Sequence, residues 1–266
     1  MWQAPPAATA APQEWLPPLD LPAPGPQNRL TVLLRILLLI PQFVVVWVLS
    51  VVTFFVAVVG WFGALVLGRL PGFAADYLSA YVPYETRVTS YLLLTHDRYP
   101  PFAFRTPDYP VRVELRPGEL NRLAVLFRLI LVIPAAVVQG LLLAGWWVVG
   151  WISWLVVLIL GRMPQALFEA TAAVLRYRMR YMAYLLMLTP AYPKRLFGDE
   201  PGSEPGGPVS ATRPLVLGGA GRGLLVAFLL LGLLSGATSS ITASVTDDDD
   251  EVKQVTGPLL PGPSAR

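Results

Sequence analysis

The chain has 266 residues, 55% of them hydrophobic and only 14% charged, with a formal charge of +3. The charged share is well below the quarter usual in soluble domains and indicates a membrane protein. The absence of cysteine and the single histidine, His96, exclude disulfides, a thiol nucleophile and a His/Cys metal centre, and the weak positive charge leaves no nucleic-acid footprint.

Residues 1–27 are rich in Pro and Ala, with Trp15 and Leu16 the only anchors, and read as a flexible N-terminus without the basic region of a signal peptide. Residues 30–68 form an apolar stretch broken by one charge, Arg35. A straight helix of that length would measure ~58 Å, about twice the ~30 Å hydrocarbon thickness, so the expected form is a helical hairpin crossing twice. Two crossings also place the arginines of the following linker on the cytoplasmic side, as the positive-inside tendency prefers. The alternative is an interfacial helix up to Ile40, ended or kinked by Pro41, followed by one long tilted span. A turn is easier to find in the second apolar stretch, which has Gln139-Gly140 and Ala144-Gly145, than in the first, which has only Ser50.

Residues 73–94 carry Asp76, Tyr84, Arg87 and Tyr91 along roughly one face and read as an amphipathic helix, interfacial or packed. In residues 109–116, Val111, Val113 and Leu115 alternate with Arg112, Glu114 and Arg116, the period of a half-buried strand. Pro117-Gly118 then turns the chain into a second unit.

That second unit repeats the first at a constant offset of 93, without a gap. Asn28-Arg29-Leu30 returns as Asn121-Arg122-Leu123, Arg35 as Arg128, Ile40-Pro41 as Ile133-Pro134, and Trp61 as Trp154. Gly68-Arg69-Leu70-Pro71 returns as Gly161-Arg162-Met163-Pro164, Tyr84 as Tyr177, Arg87 as Arg180, and Tyr99-Pro100 as Tyr192-Pro193. The expected organisation is membrane repeat 1 at 28–107, repeat 2 with its preceding strand at 108–195, and a flexible linker at 196–212. A C-terminal transmembrane helix at 213–239 and an acidic flexible tail at 240–266 complete it. The fold class is all-α integral membrane, each repeat a hairpin plus an amphipathic helix, the repeats parallel.

An arginine inside an apolar segment costs several kcal/mol unless it is paired or reaches the interface, with ~3 kcal/mol the low figure. The acid kept at matched positions, Asp76 and then Glu169, is the natural counter-charge for Arg35 and Arg128, joined by Arg87 and Arg180 in one intramembrane polar network. It reads either as a clamp between helices or as a polar cavity or headgroup site. The many Tyr and Trp residues read as interfacial belts or core. Gly68-Arg69 and Gly161-Arg162, each with a proline two residues on, read as helix ends. His96-Asp97 falls in a surface loop, where a histidine without a nearby nucleophile is solvated. No phosphate loop, dinucleotide fingerprint, zincin motif or nucleophile elbow occurs, so no cofactor and no enzyme activity are expected.

The stretch Gly60-Trp61-Phe62 to Gly68-Arg69-Leu70-Pro71, then Arg87-Val88-Thr89-Ser90-Tyr91-Leu92 and Thr95-His96-Asp97-Arg98-Tyr99-Pro100-Pro101-Phe102, resembles the domain of unknown function 4389 family of bacterial membrane proteins, in two tandem copies. Copy two departs at its close, where Thr189-Pro190-Ala191-Tyr192-Pro193 lacks the Asp and the second Pro. The resemblance implies an integral membrane protein and supplies no activity or catalytic residue. The expectation is a non-enzymatic scaffold or accessory subunit of the bacterial cytoplasmic membrane, multi-pass, with its N-terminus cytoplasmic and its acidic tail outside. Its partners would be the bilayer, anionic headgroups, another membrane protein or a second copy. The rival reading is a small transporter or channel lined by the Arg/acid pairs.

Overall fold

A computed structural model describes residues 15–199 and 210–236. The elements in chain order are β1 (Leu19–Asp20), α1 (Arg29–Leu33), α2 (Arg35–Leu67), α3 (Gly72–Leu92), β2 (Arg112–Val113), α4 (Arg122–Leu126), α5 (Arg128–Leu131), α6 (Ile133–Leu160) and α7 (Gln165–Leu185). A last helix, α8, occupies Gly219–Gly236. Residues 35–67, 128–160 and 219–236 are long and apolar enough to span a membrane. The chain is a mostly helical membrane protein with a small two-stranded sheet.

The helical hairpin does not form. Helix α2 runs for 33 residues without a break, straight through Pro41. Its segment holds nothing that would turn the chain: the Ser50 hydroxyl donates to the Trp47 carbonyl of its own helix, 2.7 Å away, and is satisfied there. In the second copy, Gly140 and Gly145 also lie inside one helix, α6. Both long helices stop where the Gly-Arg-x-Pro punctuation sits, with Gly68 at φ 71° and Gly161 at φ 66°, the left-handed conformation that suits glycine at a helix end.

Helices α2 and α3 pack antiparallel, as do α6 and α7, and the two copies embrace about an approximate two-fold axis. Contacts recur in pairs at exchanged positions. The Trp61 indole donates to the Val125 carbonyl at 3.0 Å and the Trp154 indole to the Val32 carbonyl at 2.8 Å. The Gln27 amide donates to Gly161 O and the Leu120 amide to Gly68 O, both at 2.7 Å. The sheet lies on the same axis, with Leu19 opposite Val113 and Asp20 opposite Arg112. The start of each long helix therefore meets the end of the other, so α2 and α6 run antiparallel. The repeats are not parallel: each opening helix docks on the far end of its sister, and that is possible only if the sister is reversed.

Along the axis the molecule has three layers. Helices α2 and α6 form the first, with α8 against α6, and their outer residues are bare: Trp47, Phe54 and Val66 are 67%, 64% and 71% exposed. Helices α3 and α7 form the middle layer. Non-helical chain with the sheet forms the third. Residues 15–27, expected to be flexible, belong to this cover, where Leu19 and Leu21 are buried in the core. The expected strand at 109–116 contracts to two paired residues, and of the expected linker 196–212, residues 196–199 and 210–212 are described. The acidic run in 240–266 lies outside the described residues.

Candidate functional site

Arg35 and Arg128 open their long helices and are 1% and 2% exposed. Each reaches the C-terminal end of its partner helix, because the antiparallel packing of α2 on α3, and of α6 on α7, sets those ends together. Arg35 donates to the Tyr91 carbonyl (2.9 Å), to Gln27 Oε1 (3.0 Å) and to Asp97 Oδ1 (3.1 Å). Arg128 donates to the Tyr184 carbonyl (2.9 Å) and the Thr189 carbonyl (3.1 Å). In both copies the guanidinium lies 4.3 Å from the centroid of the tyrosine ring, Tyr91 or Tyr184. Cation–π stacking thus covers one face of the charge. The carbonyls are offered by a tight helix exit, in which Leu94 and Met187 take left-handed backbone at φ 63° and 62°.

The expected carboxylates are elsewhere. Asp76 is exposed on the second turn of α3, 15 residues before Tyr91, a distance of ~22 Å along the helix axis. Glu169 stands at the start of α7, where it accepts from the Gly218 amide (2.8 Å) and the Gln165 side chain (3.0 Å) and so caps α8. The pairings Arg35–Asp76 and Arg128–Glu169 are therefore corrected. Matched spacing in the sequence says nothing about which end of α3 or α7 faces the arginine, and the antiparallel packing presents the other end.

Asp97 answers Arg35 instead, and it also accepts from the Asn28 amide (2.9 Å) and the Thr31 hydroxyl, which ties the start of α1 to the loop after α3. Its equivalent in copy two is Pro190. Arg128 therefore has carbonyl acceptors and a ring where Arg35 also has an acid. Two carbonyls and the Tyr184 ring answer the Arg128 charge, while its Nε has no hydrogen-bond partner among the described residues.

Arg87 and Arg180, also at matched positions, fasten the cover to the middle layer. Arg87 donates to the carbonyls of Ala103 (2.8 Å) and Phe104 (3.0 Å) and to the Thr106 hydroxyl. Arg180 donates to the carbonyls of Pro17 (3.0 Å) and Lys194 (3.1 Å). Burial, and then the nearby Arg176, drop the Arg180 guanidinium to about 9. Of the six expected network residues, Arg35 and Arg87 share one cluster through Tyr91, His96 and Tyr109, whereas Arg128 holds the exit of α7 at Tyr184 and Arg180, one turn earlier on α7, holds the cover.

His96 is not solvated. It is 7% exposed, with its ring 3.2 Å from the Tyr109 hydroxyl and 3.5 Å from Ser90 Oγ. Burial pulls the imidazole down to about 4, so it is neutral at pH 7. Burial also raises the Tyr109 phenol. Ser90, His96 and Tyr109 are all buried in this cluster.

Two contributions escaped the sequence reading. One is Asp97, whose adjacency to His96 in the Thr-His-Asp-Arg-Tyr-Pro motif was its only signal. The other is Glu85, which meets Arg178 at 2.6 Å. Their separation of 93 residues and opposite charge could have disclosed them, since a two-fold axis brings equal positions together.

The model of the domain of unknown function DUF4389 matches at residues 29–103 and again at 122–196. No curated protein and no solved structure matches the chain.

Proposed function

Because the chain belongs to the DUF4389 family, in two tandem copies that close on each other, we propose that it acts as a non-enzymatic scaffold or accessory subunit of the bacterial cytoplasmic membrane that engages anionic lipid headgroups. The observation that carries this reading is the sealing of Arg35 and Arg128. A path for ions or solutes needs charged groups that face water, whereas both guanidiniums are enclosed by protein acceptors and a tyrosine ring. Four exposed arginines sit at the ends of the long helices, Arg29 and Arg162 at one end and Arg69 and Arg122 at the other, and these supply the charge for headgroups. The acid-free closure of Arg128 argues in the same direction, since it has no proton-accepting partner.

The test is purification of the full chain with its native lipids, followed by native mass spectrometry, in parallel with flux measurements in proteoliposomes. Retained anionic lipid that is lost in Arg29→Gln/Arg122→Gln, with no flux, is the expected result. Solute or ion flux that disappears in Arg128→Gln while the protein remains folded would establish the transporter reading instead.

A further inference from the structure

We infer that α2 and α6 lie along one leaflet of the bilayer, sunk into its acyl region by their outward faces, instead of crossing from one side to the other. Their length and apolarity permit a crossing; the chain that covers them does not. After α3, the polypeptide lies against the start of α2, where the Tyr99 hydroxyl donates to the Leu38 carbonyl (3.2 Å) and the Gln42 side chain to the Pro100 carbonyl (2.7 Å). By Leu120 it has reached the other end, hydrogen-bonded to Gly68 O. The stretch of α2 between Gln42 and Gly68 measures ~39 Å at 1.5 Å per residue, more than the ~30 Å hydrocarbon core.

If α2 crossed the membrane, residues 99–120 would cross beside it almost wholly without helix. In that stretch Arg105, Asp108, Arg112, Arg116 and Glu119 are exposed. Irregular backbone facing lipid leaves peptide groups without partners, each at a cost of several kcal/mol, and does not occur in the hydrocarbon region. The charged cover must therefore face water along its whole length. The approximate two-fold axis passes from the sheet, through the contact of α3 with α7, to the space between α2 and α6. Water at one end of that axis and lipid at the other set it along the membrane normal, and helices perpendicular to it lie in the membrane plane.

The occupant of the outer face is hydrocarbon. Leu37, Val48 and Val59 recur every 11 residues on one side of α2, exposed by 61%, 49% and 54%, and no charged residue interrupts α2 after Arg35. A face this apolar, on a helix whose other side packs on α3 and buries Gln42 and Thr53, is covered by lipid.

The chain's lack of cysteine makes the experiment direct. Spin labels at Leu37→Cys, Val48→Cys and Val59→Cys of the full chain, in membrane vesicles of known sidedness, report depth through their relative exposure to oxygen and to a water-soluble nickel chelate. Impermeant maleimide reports the side of Pro26→Cys and Glu119→Cys, exposed positions at the two ends of α2. Equal depth for the three labels, and reaction of Pro26→Cys and Glu119→Cys from the same side, are expected. A depth profile that peaks at position 48, or reaction from opposite sides, would overturn the placement. So would spin–spin broadening between copies, which would make this face a self-association surface. Size-exclusion profiles matching the parent chain certify each variant as folded. The scaffold assignment fails separately, since flux would end it without altering label depth.

Discussion

Glu85 and Arg178 occupy the same position in the two repeats, 93 residues apart, and meet each other at 2.6 Å where α3 crosses α7. Two identical residues on a two-fold axis would face like against like. Here the copies have diverged into opposite charges, so the contact that symmetry makes unavoidable is an ion pair. Glu85 is the more buried partner, its side chain 6% exposed against 25% for Arg178.

Glu85→Arg should therefore set two arginines against each other in the middle layer. A loss of ~3 kcal/mol or more is expected, at the low end for breaking a buried pair. The exchange Glu85→Arg/Arg178→Glu should recover most of it. Thermal unfolding of the detergent-solubilised full chain measures both, and a double variant no more stable than Glu85→Arg would remove the pair from the account.

The two sealed arginines should respond differently to loss of charge. Arg35→Met strands the Asp97 carboxylate beside the Asn28 amide and the Thr31 hydroxyl, whereas Arg128→Met leaves only neutral carbonyls behind. The first variant should be the less stable by ~0.5–1.5 kcal/mol, because the half-buried Asp97 keeps its two neutral donors but loses its charged one. Asp97→Asn, combined with Arg35→Met, should narrow the gap. Urea titrations of the four proteins decide it, and equal midpoints for the two arginine variants would refute the distinction.

His96 should make stability fall in mild acid. Its folded value of about 4 lies below the ordinary 6.5, so between those values the unfolded chain takes up a proton that the folded chain refuses. Stability contributed by the neutral imidazole is complete above pH ~6.5 and declines as pH falls toward ~4, by about 3 kcal/mol at ~1.4 kcal/mol per unit. His96→Gln should flatten that part of the profile. Melting temperatures across pH 4–7 test it, and an unchanged slope in the variant would assign the dependence to other groups.

Gly145 is where α8 touches α6. A Cβ there would lie 1.7 Å from the Phe228 carbonyl oxygen, and one at Gly232 would lie 2.1 Å from the Leu141 carbonyl oxygen. Backbone is in the way, so the helices must separate. Gly145→Val should lengthen the distance between spin labels at positions 148 and 226 and leave α2 packing intact, while Gly140→Val, which meets nothing within 4 Å, should not.

Much of this molecule is written locally. The duplication follows from identical residues at one offset, the membrane setting from two apolar stretches each carrying one arginine, and the helix ends from Gly-Arg-x-Pro, because a left-handed cap and a missing amide act within one turn. The demand that Arg35 and Arg128 be answered was also legible, since desolvation depends only on where the charge sits along the apolar run. What answers them was not. Asp76 and Asp97 lie at opposite ends of α3, and nothing local says which end the arginine will meet. A hairpin is expected because a helix of ~58 Å is nearly twice the hydrocarbon thickness, although the first copy offers only Ser50 where the second offers Gln139-Gly140. The choice belonged to the antiparallel embrace of the repeats, in which each opening helix packs on the end of the other and Glu85 is carried to Arg178. Such contacts join residues far apart in the chain, and their energy exists only once the helices have taken a direction relative to one another.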